Sequence, residues 1–131
     1  MNHNKLMEII IAAHESEYKL GQNDCNIVSL RVLDLIAGTD YADIAKYKTI
    51  KTGFKQLNTL GFDSTQDIIR KYADEVDVII DGDIYLDDYD KLIIGVCTSG
   101  RVLGVDEEHK EFKLIDRPTD GKYYRIRGTN G

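Results

Sequence analysis

Apolar positions recur at helical spacing in the first half of the chain and at strand spacing in the second. From about Lys5 to Glu15, Leu6, Ile9, Ile10 and Ala13 fall on one helical face, and Gly21 then breaks the pattern. A second helix is predicted behind Asn23 or Asp24 as N-cap, carrying Ile27, Val28, Leu30, Val32, Leu33, Leu35 and Ile36 and closing at Gly38. Its apolar residues cover nearly the whole circumference, so it is expected to be central and buried. Tyr41, Ile44, Ala45 and Tyr47 suggest a short helix. Ile50, Phe54, Leu57 and Leu60 form a further stripe ending at Gly61, and Ser64-Thr65-Gln66-Asp67 has capping-box spacing ahead of Ile68, Ile69, Tyr72 and Ala73.

Around Glu75 the period changes. Val76, Val78 and Ile80 alternate with Asp77, Ile79 and Asp81, predicting a strand, and Gly82-Asp83 turns into Ile84-Tyr85-Leu86. Leu92 to Cys97, Arg101 to Val105, Phe112 to Ile115 and Tyr123 to Ile126 supply further strands, separated by Ser99-Gly100, Glu107 to Lys110 and Pro118 to Gly121. Helices followed by hairpin-linked strands are the order of an α+β domain with an antiparallel sheet. With 131 residues there is room for one such domain, spanning 1–131.

Composition narrows the partners. Apolar residues make up 42% and charged residues 31% of the chain, the balance of a folded domain. The longest apolar run, Ile9 to Ala13, falls far short of the roughly 20 residues that cross a bilayer, so membrane insertion is not expected. The start of the chain has an early Glu8 and no small-residue cleavage site, which argues against a secretory signal. A net charge of −6, with Lys and Arg scattered singly, argues against nucleic acid as a partner. Cys25 and Cys97 are expected to be reduced thiols, and no zinc or cofactor motif is present.

Cys25 is the chemically suggestive residue. It follows Gly21-Gln22-Asn23-Asp24 and falls in the first turn of the helix predicted to be most buried. A thiol there faces unpaired backbone N–H groups and the positive end of the helix dipole, both of which favour thiolate. Such a cysteine is a candidate nucleophile, and the loop N–H groups are candidate oxyanion donors. The competing reading is a small apolar residue packed in the core. Asp24 also has two readings: a helix cap, or an orienter of a partner base whose own charge would raise the thiol's pKa.

The run Tyr18-Lys19-Leu20-Gly21-Gln22-Asn23-Asp24-Cys25, followed by an apolar helix closed at Gly38, resembles the aromatic-x-x-Gly-x-x-Asp-Cys opening of small phage-encoded proteins related to the NlpC-type, papain-like cysteine peptidases. Tyr47, Gly53, Leu57 and Gly61 look like that group's Tyr and Gly block, Gly82-Asp83-Ile84-Tyr85-Leu86 like the Gly-Asp opening of its first core strand, and Ile94-Gly95-Val96 like the strand that follows. The resemblance implies N-terminal helices on a partly curled antiparallel sheet. It also implies hydrolysis of cell-wall peptides by a Cys–His pair, with Cys25 attacking and a sheet His accepting its proton. That His stands two positions before the Gly of the second strand, where this chain has Ile93, which accepts no proton. His109, in the charged stretch Asp106 to Glu111, is the remaining candidate base; a solvated hairpin tip is its other reading, and His3 and His14 belong to the N-terminal segment.

The acidic run Asp81, Asp83, Asp87, Asp88 and Asp90 lacks the Asp-x-Asp-x-Asp-Gly loop of a calcium site and reads as a solvated strand end. The resulting expectation is a phage protein, made in the host cytoplasm and incorporated in the virion at the tail. Its fold would be a degenerate NlpC-like one, and its partners other tail proteins or peptidoglycan peptides. The alternatives are an active Cys25 hydrolase and an acidic domain that binds a host protein.

Overall fold

The computed structural model describes residues 3–105 and 111–128. Five helices come first: α1 (His3–Glu15), α2 (Cys25–Ala37), α3 (Tyr41–Ile44), α4 (Ile50–Thr59) and α5 (Thr65–Tyr72). The strands β1 (Ala73–Val76), β2 (Ile84–Asp87), β3 (Ile94–Thr98), β4 (Arg101–Val105), β5 (Phe112–Ile115) and β6 (Gly121–Ile126) follow. All pair antiparallel in one open sheet of order β1-β6-β2-β3-β4-β5, so the protein is of the α+β class. Among the described residues no helix is long and apolar enough to cross a membrane.

The pattern of apolar residues explains the layering. α2 buries seven residues, Cys25, Ile27, Val28, Ser29, Leu30, Val32 and Leu33, and lies between α1, α5 and the sheet. Alternation along the strands sends Ile84, Leu86, Ile94, Val96 and Leu103 into the cluster shared with α1, α2 and α5. Tyr85, Cys97, Val102 and Tyr123 point to the opposite face and form a smaller cluster, against which Val76, Ile79 and Ile115 pack. The two cysteines are both free and buried, and they lie in different clusters.

The strand expected over Val76 to Ile80 is displaced. β1 begins at Ala73, directly after α5, and pairs with β6 from Ala73↔Ile126 to Val76↔Tyr123. Beyond it Val78 is 77% exposed and Ile80 51%. The backbone groups there are taken by an ion pair instead of a ladder. Asp83 Oδ2 accepts from the Ile80 N–H at 2.8 Å, and Arg125 Nη2 donates to the Val78 carbonyl at 2.8 Å. Arg125 also clasps Asp83 through Nε at 3.1 Å and Nη2 at 2.9 Å. Period-2 alternation in this segment therefore came from a turn wrapped around a buried carboxylate.

The same residues correct part of the reading of the acidic run as solvated: Asp88 and Asp90 are exposed, but two of its members are buried. Asp83 is 1% exposed and Asp87 8%. Asp87 accepts from Tyr85 Oη at 2.6 Å and from the N–H groups of Tyr89 and Asp90, while Asp81 accepts from the Ser99 N–H and from His3 Nε2. These carboxylates organise turns at the sheet end. Because Asp83 is buried and Arg125 is its cationic partner, Arg125→Ala should cost about 2 kcal/mol, below the ~3–5 of a fully buried pair since the arginine side chain is 41% exposed. The check is a lower urea midpoint at unchanged slope.

Candidate functional site

The loop before α2 is fixed by two adjacent side chains that serve different helices. Asn23 Nδ2 donates to the carbonyls of Ala13 and Glu17 at 3.2 and 3.0 Å and so closes the C-terminal end of α1. Asp24 is the N-cap of α2, with φ −115° and ψ 173°. Its Oδ1 accepts from the Ile27 N–H at 2.8 Å, and its Oδ2 accepts from the Gly21 N–H at 2.7 Å and from Tyr47 Oη at 2.5 Å. With 0% exposure and three donors, this carboxylate is wholly committed to holding the loop, the helix start and Tyr47 together.

The glycines of the motif make room for that arrangement. Gly21 has φ +80°, and a Cβ on it would run into the Tyr47 carbonyl oxygen. A Cβ on Gly53 would stand 3.3 Å from the Tyr47 ring. Tyr18 packs on Phe112 with ring centroids 5.2 Å apart, tying the loop to β5. Tyr18, Gly21, Asp24, Cys25, Tyr47 and Gly53, separated along the chain, therefore converge on one end of α2.

Cys25 is the first residue of α2 and is 7% exposed, in the cluster that holds Val28, Ile94, Val96 and Leu103. Burial pushes its thiol up to about 12, and the Asp24 charge pushes the same way, outweighing the backbone hydrogen bond that favours thiolate. Burial, with the charges of Asp24 and Cys25, likewise raises Tyr18 and Tyr47 above the usual phenol value. The helix dipole alone predicts a lowered thiol pKa. Burial, and after it the carboxylate already standing at that positive end, outweigh the dipole. Cys97 is also pushed up to about 12, first by burial and then by Asp83.

The other sequence candidates are dispersed. Ile93 immediately precedes β3 and is 41% exposed, and its carbonyl accepts from Gln66 Nε2 and from the Asp87 N–H. His3 bonds Asp81, His14 is exposed on α1, and His109 lies outside the described residues. Among the described residues no group of His, Cys, Asp and Glu has a geometry that would hold a metal ion. Sequence reasoning missed the Tyr47–Asp24 bond, although Tyr47 was part of the motif. It also missed buried Gln66, whose Nε2 reaches the carbonyls of Asp87, Asp90 and Ile93 within 3.2 Å and pins α5 to the β2–β3 turn.

Fold and site together define an α+β domain in which a capped, buried cysteine opens a central helix against an antiparallel sheet. The chain belongs to the family described as "Domain of unknown function (DUF6950)", whose model matches residues 2–125. No curated protein and no solved structure matches it at a significant level.

Proposed function

We propose that this protein is a phage virion component, associated with the tail, that uses an NlpC-like scaffold for structure and binding without peptide hydrolysis. The setting rests on the resemblance of Tyr18-x-x-Gly21-x-x-Asp24-Cys25 to the opening of the phage-encoded group, supported by a central helix that starts at the cysteine and packs on an antiparallel sheet. The absence of catalysis rests on one observation: the Cys25 thiol is buried beside a carboxylate that takes the helix end, which keeps it protonated. A protonated thiol is a poor nucleophile.

The test has two arms. Purified protein and Cys25→Ala should both leave peptidoglycan stem peptides uncleaved, as read by mass spectrometry. The polypeptide should be found in purified particles. Turnover that disappears in Cys25→Ala would replace this reading with an active hydrolase. A protein present in infected cells but missing from particles would remove the virion assignment.

A further inference from the structure

The sheet is open, and hydrogen bonds in its interior decide which backbone groups its β5 edge turns outward. Cys97 donates its N–H to the Asp83 carbonyl at 2.8 Å and accepts from the Gly82 N–H at 2.9 Å, so its backbone groups face away from β4. Facing alternates along a strand. Val96 and Leu103 therefore bond each other, while Val102 and Gly104 turn towards Ile115 and Lys113. The N–H and C=O of Leu114, opposite Leu103, consequently point out of the sheet, as do those of Phe112. Among the described residues no backbone group outside the sheet bonds Leu114.

Side chains along this edge select the partner. Leu114 shares the helix-side face with Leu103 and Phe112 but is 40% exposed. Lys113 and Ile115 lie on the other face, as does Arg117, whose guanidinium stands 5.2 Å from the Tyr123 ring centroid. An antiparallel second copy of β5 can meet the outward groups in few registers. With the two-fold axis at Lys113, two lysines face each other; with the axis at Ile115, Lys113 faces Arg117. An axis at Phe112 pairs the described residues no further than Glu111 with Lys113 and leaves Leu114 uncovered. With the axis at Leu114, that side chain covers its own copy, Phe112 exchanges backbone bonds with Asp116, and Glu111 faces Arg117 on both sides of the axis. The opposite edge is different. Arg127 N–H bonds the Tyr72 carbonyl at 2.9 Å, so Ala73, Glu75 and Asp77 face outward from β1. Self-pairing there opposes Asp74 to Asp74, Glu75 to Glu75, or Glu75 to Asp77.

We propose that β5 is a homodimer interface: it pairs antiparallel with the β5 of a second copy about a two-fold axis at Leu114, joining the sheets of both copies into one. The pairing uses up the β5 edge, and the acidic β1 edge repels its own kind, so the assembly closes as a dimer. This surface is separate from the thiol, and the inference stands whether or not Cys25 reacts.

Sedimentation of the full chain should show a reversible monomer–dimer equilibrium between about 10 µM and about 1 mM, in keeping with a small interface. Hydrogen exchange at the Leu114 N–H should slow as concentration rises, because within one copy that group has no partner in the ladder. Leu114→Pro removes the outward N–H without touching the bonds to β4, and should leave a monomer at about 1 mM. Glu111→Lys sets like charges opposite Arg117 on both sides of the axis and should weaken the dimer about tenfold. Adding Arg117→Glu to Glu111→Lys should restore it, which separates pairing from any loss of folding in the single variants. Overturning results are a monomer at about 1 mM in the unmodified chain, Leu114 exchange independent of concentration, a dimer that survives Leu114→Pro, or a charge swap that fails to rescue. Assemblies growing beyond the dimer would also overturn it, since they require β5 to join β1.

Discussion

Asp24→Ala should lower the stability of the domain by on the order of 4 kcal/mol, a large share of the ~5–15 kcal/mol available to a domain of this size. The substitution removes one charged acceptor and strands three donors, the N–H groups of Gly21 and Ile27 and the hydroxyl of Tyr47, in a site with almost no access to water. An ordinary N-cap loss costs about 1 kcal/mol, since water replaces the missing oxygen; here it cannot. Asp24→Asn should fall about midway, because an amide oxygen still caps Ile27 but offers no second oxygen to Gly21. Tyr47→Phe alone should cost about 1–2 kcal/mol and add little once Asp24 is Ala, the non-additivity expected of two partners in one bond. Urea unfolding of the four proteins checks this, and the Asn variant remains informative should the Ala variant not fold. A loss below about 1 kcal/mol for Asp24→Ala would mean that other contacts hold the loop.

Local signals in the sequence located most of the elements. α2 was legible from end to end, because Asp24, an all-round apolar run and Gly38 each carry a local conformational preference, and Gly38 indeed closes the helix at φ 74°. α4 was legible through its apolar stripe ending at Gly61, and α5 through its Ser64 start and its own stripe, whereas the Thr49 cap of α4 was not read. The failures came where a distant partner decided the outcome. Val78 and Ile80 alternate like a strand, but Asp83 and Arg125, separated by 42 residues, claim the backbone there. The same partner removes Asp83 from solvent, against the expectation for an acidic run.

The candidate site divides along the same line. The positions of Cys25 and Asp24 at the helix start were legible, since both are local to the cap. That the thiol is pushed up and not down depends first on its burial, and that Asp24 is wholly committed to the loop depends on Tyr47, 23 residues away; no local pattern encodes either. Read on the structure, the aromatic-Gly-Asp-Cys motif is a set of fitted parts. Gly21 admits the Tyr47 backbone, Gly53 admits its ring, Tyr47 reaches Asp24, and Asp24 starts α2. None of these contacts involves a histidine, so the motif serves the fold by itself.

In the folded protein Cys25 should react with iodoacetamide far more slowly than an ordinary thiol. A rise from 9.0 to about 12 leaves about 1,000-fold less thiolate near neutral pH, and thiolate is the reacting form. Low exposure slows the reaction further, so the rate should recover in urea, where both obstacles vanish. Because the folded state holds a proton that the unfolded chain releases, the thiol's contribution to stability is complete below about pH 9 and drains away as pH rises toward about 12. Cys97 shifts in the same direction and over the same window, and the raised tyrosines, Tyr18 and Tyr47 among them, add to the loss above about pH 10, so Cys25→Ala should remove only part of the alkaline destabilisation. Alkylation followed by peptide mass spectrometry separates the two thiols, and urea midpoints across the alkaline range give the slope. Fast labelling of folded Cys25 at neutral pH would place a thiolate at the helix end after all, which requires Asp24 to give up that position and returns the protein to the nucleophile reading.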